Sequence, residues 1–197
     1  MYRSPFFRFA ALLFLCAALF ASPLARAQDN QLPTGAPGFA IGHYTNGKTY
    51  AAGQTFALPH GGTWGGALIA FSASSGSPQG GVRWELHRWI TDPYYTGPGK
   101  LLAVGAFDPA PMAFNSLSVA QIHLPPGRYA LLLVAVQDQY VGHYWNVLVT
   151  TGSTDRYTRG AFVQLEQGGA WGSWPDQDLH GEFDFASPDG FGVLITE

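Results

Sequence analysis

Hydrophobic and polar residues alternate along this chain with a period of two, and no segment keeps a helical period over three turns. Breaks rich in Gly, Pro, Ser and Asn recur about every ten residues. Between them lie short runs of Val, Leu, Phe, Tyr and Trp. The runs predict strands over 54–58, 67–72, 82–89, 101–106, 117–124, 129–136, 144–150, 161–165 and 182–185. That number and spacing predict an all-β fold, an antiparallel β-sandwich or jelly roll of about nine strands.

The alternation also assigns faces. Ala67, Ile69 and Phe71 share one side, and so do Val82, Trp84 and Leu86, which leaves Arg83, Glu85, His87 and Trp89 on the other. The segment 129–136 is apolar on both faces and reads as a central, doubly covered strand. Pro125-Pro126-Gly127-Arg128 ahead of it reads as a tight turn. Residues 28–45, rich in Pro, Gly and polar side chains, read as a flexible leader, with the domain over 46–186. The tail over 187–197 is either loose or adds an edge strand through Phe191 to Ile195.

The amino terminus changes the picture of where the chain goes. Arg3 and Arg8 precede an uncharged apolar run from Phe9 to Ala21, and Ala25-Arg26-Ala27 follows, the order of a secretory signal peptide cleaved after Ala27. The run is short against the roughly 20 residues of a membrane-spanning helix. Cys16 follows Leu15, where a lipoprotein signal wants a small residue, so lipidation is not expected. Removing 1–27 removes the one cysteine, so no disulfide is expected in the mature chain. It also removes Arg3, Arg8 and Arg26, leaving 7 of the 10 basic residues against 13 acidic ones, a balance of −6. Such a surface lacks the basic stripe that nucleic acid requires. No mature stretch approaches spanning length, so no membrane span is expected, and the mature protein is expected in the periplasm or outside the cell.

Several motifs together carry a family likeness: "GQTFALP" at 53–59, "GSPQGGVRWELHRW" at 76–89, "TGPGKLL" at 96–102, "LPPGRYALLL" at 124–133, "HYW" at 143–145, "YTRGAFVQ" at 157–164 and "GGAWGSWPDQDLHGEF" at 168–183. In this order the chain resembles the choice-of-anchor domains of exported bacterial proteins, which often precede a PEP-CTERM-type sorting tail. The resemblance implies an extracellular or surface-associated jelly roll and brings no catalytic residues with it. No apolar helix with a basic stop follows Phe185, a departure that implies release or noncovalent retention.

Candidate chemistry is sparse. Glu85 and His87, about 6 to 7 Å apart on one strand face, could act as acid and base only in a cleft; the alternative is a solvated strand with paired charges. Aromatic side chains outside the expected core are stronger candidates, because sugar rings have apolar faces that stack on aromatic rings. Trp89, Tyr94, Tyr95, Trp171 and Trp174 are the candidate ligand-binding residues, with Tyr144 a further aromatic outside the core and Trp84 and Trp145 assigned to it. In "DQDLHGEFDF", Asp176 and Asp178 are candidate ligands for a structural calcium ion, which takes six to eight oxygens. No other cofactor is expected. Zinc lacks an HExxH pair. Glu182 and Asp184 resemble part of the E-x-D-x-(x)-E strand of concanavalin-like glycoside hydrolases, but Ala186 and Ser187 stand where the third acid belongs. "GPGK" at 97–100 lacks the spacing and hydroxyl of a P-loop and reads as a turn.

The leading expectation is therefore a secreted, non-enzymatic module that binds carbohydrate or another polymer of the matrix or cell surface. The alternatives are a structural or assembly module without a small ligand, its partner a surface protein, and, last, a glycoside hydrolase.

Overall fold

Trp64 and Trp84 meet edge to face with ring centroids 5.5 Å apart, and that contact explains the shape of the sheet. The computed structural model describes Leu32 and residues 36–151, 160–187 and 190–196. Among them are thirteen strands and no helix: β1 (Gly38–His43), β2 (Thr49–Leu58), β3 (Gly62–Phe71), β4 (Val82–Thr91), β5 (Thr96–Phe107), β6 (Ala113–Leu124), β7 (Gly127–Ala135), β8 (His143–Thr151), β9 (Ala161–Glu166), β10 (Trp171–Trp174), β11 (Gln177–Leu179), β12 (Gly181–Ser187) and β13 (Gly190–Thr196). They pair antiparallel in the order β13-β12-β3-β8-β1-β2-β7-β4-β5, with β6 also on β3, β9 on β2, β10 on β9 and β11 on β8. On a flat sheet β3 and β4, five steps apart in that order, would be separated by about 24 Å. The sheet must curl on itself to bring Trp64 against Trp84, and the core fills the space enclosed.

Side-chain alternation chooses what enters that space. Ala67, Ile69 and Phe71 of β3, Val82, Trp84 and Leu86 of β4, and Tyr129, Leu131 and Leu133 of β7 all belong to the main core cluster, with Trp145 of β8. β7 is the central strand expected: it lies between β2 and β4, and Tyr129–Leu133 are buried on both faces. Pro125 and Pro126 alone join β6 to β7, and the Tyr129 hydroxyl donates back to the Pro125 carbonyl. Proline suits this turn because it has no N–H to leave unpaired.

The structure departs from the sequence reading in two places. Residues 38–43, expected in the leader, form β1, which pairs along its length with β8 and at its end with β2; Ile41 points into the core, so a short run between glycines is held by both neighbours. Gly97-Pro98-Gly99, expected in a turn, lies within β5 opposite Trp89 and Ile90. Pro98 sits near the start of an edge strand, where its missing N–H is tolerated. Of the two outcomes expected for the tail, the edge strand is the one found: residues 190–196 form β13 at the end of the pairing order, paired with β12 from Gly181↔Thr196 to Ser187↔Gly190. The chain also divides into two units, 1–31 and Leu32–Glu197. The expected signal peptide, with Cys16 and Ala27, lies outside the described residues. No helix among those described is long and apolar enough to cross a membrane.

Candidate functional site

On the outward face of β4, Arg83, Glu85 and His87 form one hydrogen-bonded row. Arg83 Nε donates to Glu85 Oε1 at 2.6 Å. His87 Nε2 lies 2.9 Å from Glu85 Oε2, and its Nδ1–H donates to the Gly99 carbonyl at 3.0 Å. Burial pushes the Glu85 carboxyl up, but the hydrogen bonds from His87 and Arg83 outweigh it and hold the group below its ordinary value. The acid and the base are thus engaged with each other along the strand, as in the solvated-strand reading.

Beyond His87 the pairing of β4 with β5 shifts register twice, between Leu86 and His87 and between His87 and Trp89. The extra residues belong to β5, which runs from Ala103 to Leu101 against one step of β4 and from Leu101 to Pro98 against two. Trp89 keeps the outward side of Arg83, Glu85 and His87, and there it packs with Ala130, Leu132 and Val163 in a cluster of its own. Ala130 and Leu132 alternate with the core residues Tyr129, Leu131 and Leu133, so this cluster is separated from the main core by the sheet itself. Trp171, from the start of β10, completes it and meets Trp89 edge to face with centroids 5.9 Å apart. Trp89 is 8% exposed and Trp171 half-buried.

The tip of the β4–β5 hairpin is Asp92-Pro93-Tyr94-Tyr95. The Asp92 carboxylate accepts from the backbone N–H of both Tyr94 (2.8 Å) and Tyr95 (2.7 Å), an Asx-type arrangement that fixes the turn. Tyr95 donates its hydroxyl to the Pro98 carbonyl at 3.0 Å. A Cβ at Gly97 would lie 2.7 Å from that hydroxyl oxygen and 3.2 Å from Trp171 Cδ1, so glycine there lets Tyr95 and Trp171 close on the strand. Tyr94 is 98% exposed and Tyr95 47%. Four of the five aromatic candidates, Trp89, Tyr94, Tyr95 and Trp171, therefore gather around one hairpin tip.

Trp174 does not join them. It stands three residues from Trp171 on the same short strand and so faces the other way; its ring packs on Phe39 and Phe162. Asp176 and Asp178 also differ in environment. Asp176 is exposed in the β10–β11 turn, whereas Asp178 is buried and accepts from Gln54 Nε2 at 2.5 Å. A calcium ion at this place would compete with that amide for the Asp178 carboxylate. No group of three or more His, Cys, Asp or Glu that could hold a metal occurs among the described residues. Glu182 and Asp184 alternate with Phe183 and Phe185, which are core residues, and so lie on the outward face of β12.

Sequence reasoning missed a second aromatic cluster at the β1–β2 turn. Gly42 pairs with Tyr50 on one side and Tyr144 on the other, and the Tyr44 ring lies between theirs, 6.0 Å from Tyr50 and 4.8 Å from Tyr144. The available signal was Asn46-Gly47, a hairpin dipeptide flanked by Tyr44 and Tyr50. No protein-family model, curated protein or solved structure matches the chain.

Proposed function

We propose that this chain is an exported, non-enzymatic β-sandwich of jelly-roll type that binds a polysaccharide of the matrix or cell surface through Tyr94, Tyr95 and Trp171, with Trp89 as the buried support beneath them. The observation that carries the reading is the presentation of Tyr94. The ring is wholly exposed and stands on a turn whose backbone Asp92 ties down, so the backbone that carries it needs little ordering on binding. Tyr95 and Trp171, which both close on Gly97, supply further aromatic surface with polar edges, which suits the apolar faces and hydroxyl rims of sugars. The export signal and the likeness to choice-of-anchor domains support the location. The curl that packs Trp64 on Trp84 supports the sandwich.

A glycan array followed by tryptophan fluorescence titration tests the reading. A ligand should change the emission of Trp171, and Tyr94→Ala should weaken its binding at least tenfold. The reading fails if no cell-surface or matrix polysaccharide binds, or if the Tyr94→Ala chain binds as well as the parent.

A second reading, a structural module that assembles with copies of itself, is favoured by β5. This strand ends the pairing order, has Lys100 as its one charged residue, and exposes Leu101 and Val104. Such an edge can pair with another strand. Sedimentation velocity across a concentration series, with Val104→Lys as the comparison, tests it.

A further inference from the structure

We propose that the tyrosine cluster at the β1–β2 turn is a second binding site, for neutral β-1,4-linked pyranose chains. The inference takes its ligand class from the reading above, but it rests on different residues and a different surface. Glu166 of β9 pairs with Tyr50, while its neighbour Leu165 pairs with Trp171. Adjacent strand residues face opposite ways, so the side of β9 that meets Tyr50 is the side turned away from Trp171.

Four observations converge on this place. The first is the assembly of the rings: Tyr44, Tyr50 and Tyr144 come from the β1–β2 turn, β2 and β8 and are contiguous, with Tyr140 in the β7–β8 loop stacked edge to face on His143 at 5.7 Å. Gly42 makes the assembly possible. Its φ of 119° is one that side-chain-bearing residues rarely adopt, and a Cβ there would lie 3.0 Å from the His143 carbonyl oxygen and 3.2 Å from Gln139 Cγ.

The second is rigidity. Gln139 is 9% exposed, accepts from the Gln79 N–H and donates to the Gln79 carbonyl, both at 2.8 Å, and donates to the Gln137 carbonyl as well. Its own carbonyl meets His43 Nδ1 at 2.9 Å. The β3–β4 and β7–β8 connections and the end of β1 are thereby tied together before any ligand arrives, which lowers the ordering cost of binding.

Third comes the polar edge. Asn46 Nδ2 donates to the Tyr50 hydroxyl at 2.9 Å, the hydroxyl donates to Glu166 Oε2 at 3.0 Å, and Lys48 pairs with the other Glu166 oxygen. This row places directional groups beside aromatic faces, the combination that a pyranose with axial C–H faces and equatorial hydroxyls requires. The fourth is charge. Lys48 and Glu166 neutralise each other, which favours a neutral chain over an anionic one. Equatorial β-1,4 linkage leaves both ring faces free to stack.

The test uses the full chain with the hexaoses of β-1,4-linked glucose, N-acetylglucosamine and xylose as probes. Tyrosine ring resonances are followed by NMR and assigned through Tyr44→Phe, Tyr50→Phe and Tyr144→Phe, which keep the ring and the packing. At least one hexaose should shift the Tyr44 and Tyr144 signals, and Tyr144→Ala should raise the Kd read at Tyr44 at least tenfold while leaving signals from Tyr94 responsive. No shift at these rings with any of the three hexaoses overturns the inference. Shifts confined to Tyr94 and Tyr95 overturn it while leaving the proposed function standing. Shifts at Tyr44 and Tyr144 alone support it and overturn the Tyr94 reading instead.

Discussion

Trp89 and Trp171 meet edge to face, 5.9 Å between centroids, on the side of the sheet turned away from the main core. Their contact fastens the β4–β5 hairpin to the β9–β10 hairpin over Ala130, Leu132 and Val163. Stability and binding should separate along this line. Trp89→Ala empties a nearly buried site and should cost about 3 kcal/mol, at the low end for a large aromatic because the site lies near the surface. Tyr94→Ala removes a ring with almost no burial and should stay within about 0.5 kcal/mol of the parent. Urea unfolding of the two variants checks both figures.

Gly97→Ala should act in the opposite sense. The added methyl would press on the Tyr95 hydroxyl, ring carbon Cζ and Trp171 Cδ1. Tyr95 is half in solvent and can swing aside, so stability should fall by less than about 1 kcal/mol. The hydrogen bond from Tyr95 to Pro98 would be lost with the movement. Polysaccharide affinity should therefore drop while the urea midpoint scarcely moves, a split that titration and unfolding on one preparation would read.

Much of this was legible in the pattern of residues, and what was not has identifiable causes. All nine predicted strands occur, since β4 and β7 advertise their faces through Val82, Trp84 and Leu86 and through the run at Tyr129–Leu133. β1 was hidden because its six residues include glycines at Gly38 and Gly42 and its stability comes from neighbours on both sides. β10 and β11, of four and three residues, are too short to show a period. The outward face of Trp89 follows from the period of two along β4, but the bulges of β5 opposite His87 have no local sequence signal. Trp174 was grouped with Trp171 by proximity, although an odd spacing on a strand already sends the two apart. Asp178 meets Gln54 across a long stretch of chain, a pairing that only tertiary structure reveals.

Acid should destabilise the protein in two steps. His180 is nearly buried, and burial lowers its pKa below the ordinary 6.5. The unfolded chain therefore takes up this proton first, so the contribution is whole above about pH 6.5 and is lost as pH falls through the folded value. Glu85 is held below its ordinary 4.5; its contribution is present above that value and is lost at still lower pH. Unfolding free energy measured against pH should show both declines. His180→Leu should flatten the upper one and Glu85→Gln the lower, each leaving the other in place. If both variants follow the parent curve throughout, these two groups are not the source.

The buried pair of Gln54 and Asp178 gives the last prediction, and it bears on calcium. Gln54 Nε2 donates to the Asp178 carboxylate at 2.5 Å, and Gln54 Oε1 accepts the Leu179 N–H at 2.8 Å. One amide thus serves a carboxylate and a backbone donor, and it fastens β11 to β2 where both are out of water. Gln54→Leu keeps the bulk but removes the two hydrogen bonds that the amide makes to Asp178 and to the Leu179 N–H. A buried hydrogen bond contributes about 0.5–1.5 kcal/mol net, and about 1.5–3 kcal/mol when it is made to a charged group. The variant should therefore lose about 2–4 kcal/mol, with a lower urea midpoint at an unchanged slope. In the parent, a calcium ion would have to displace the amide, so millimolar calcium should leave Tm where EDTA leaves it. A calcium-dependent rise in Tm that Asp178→Asn abolishes would instead mean that the carboxylate prefers the ion to Gln54, and that Asp176 and Asp178 act together after all.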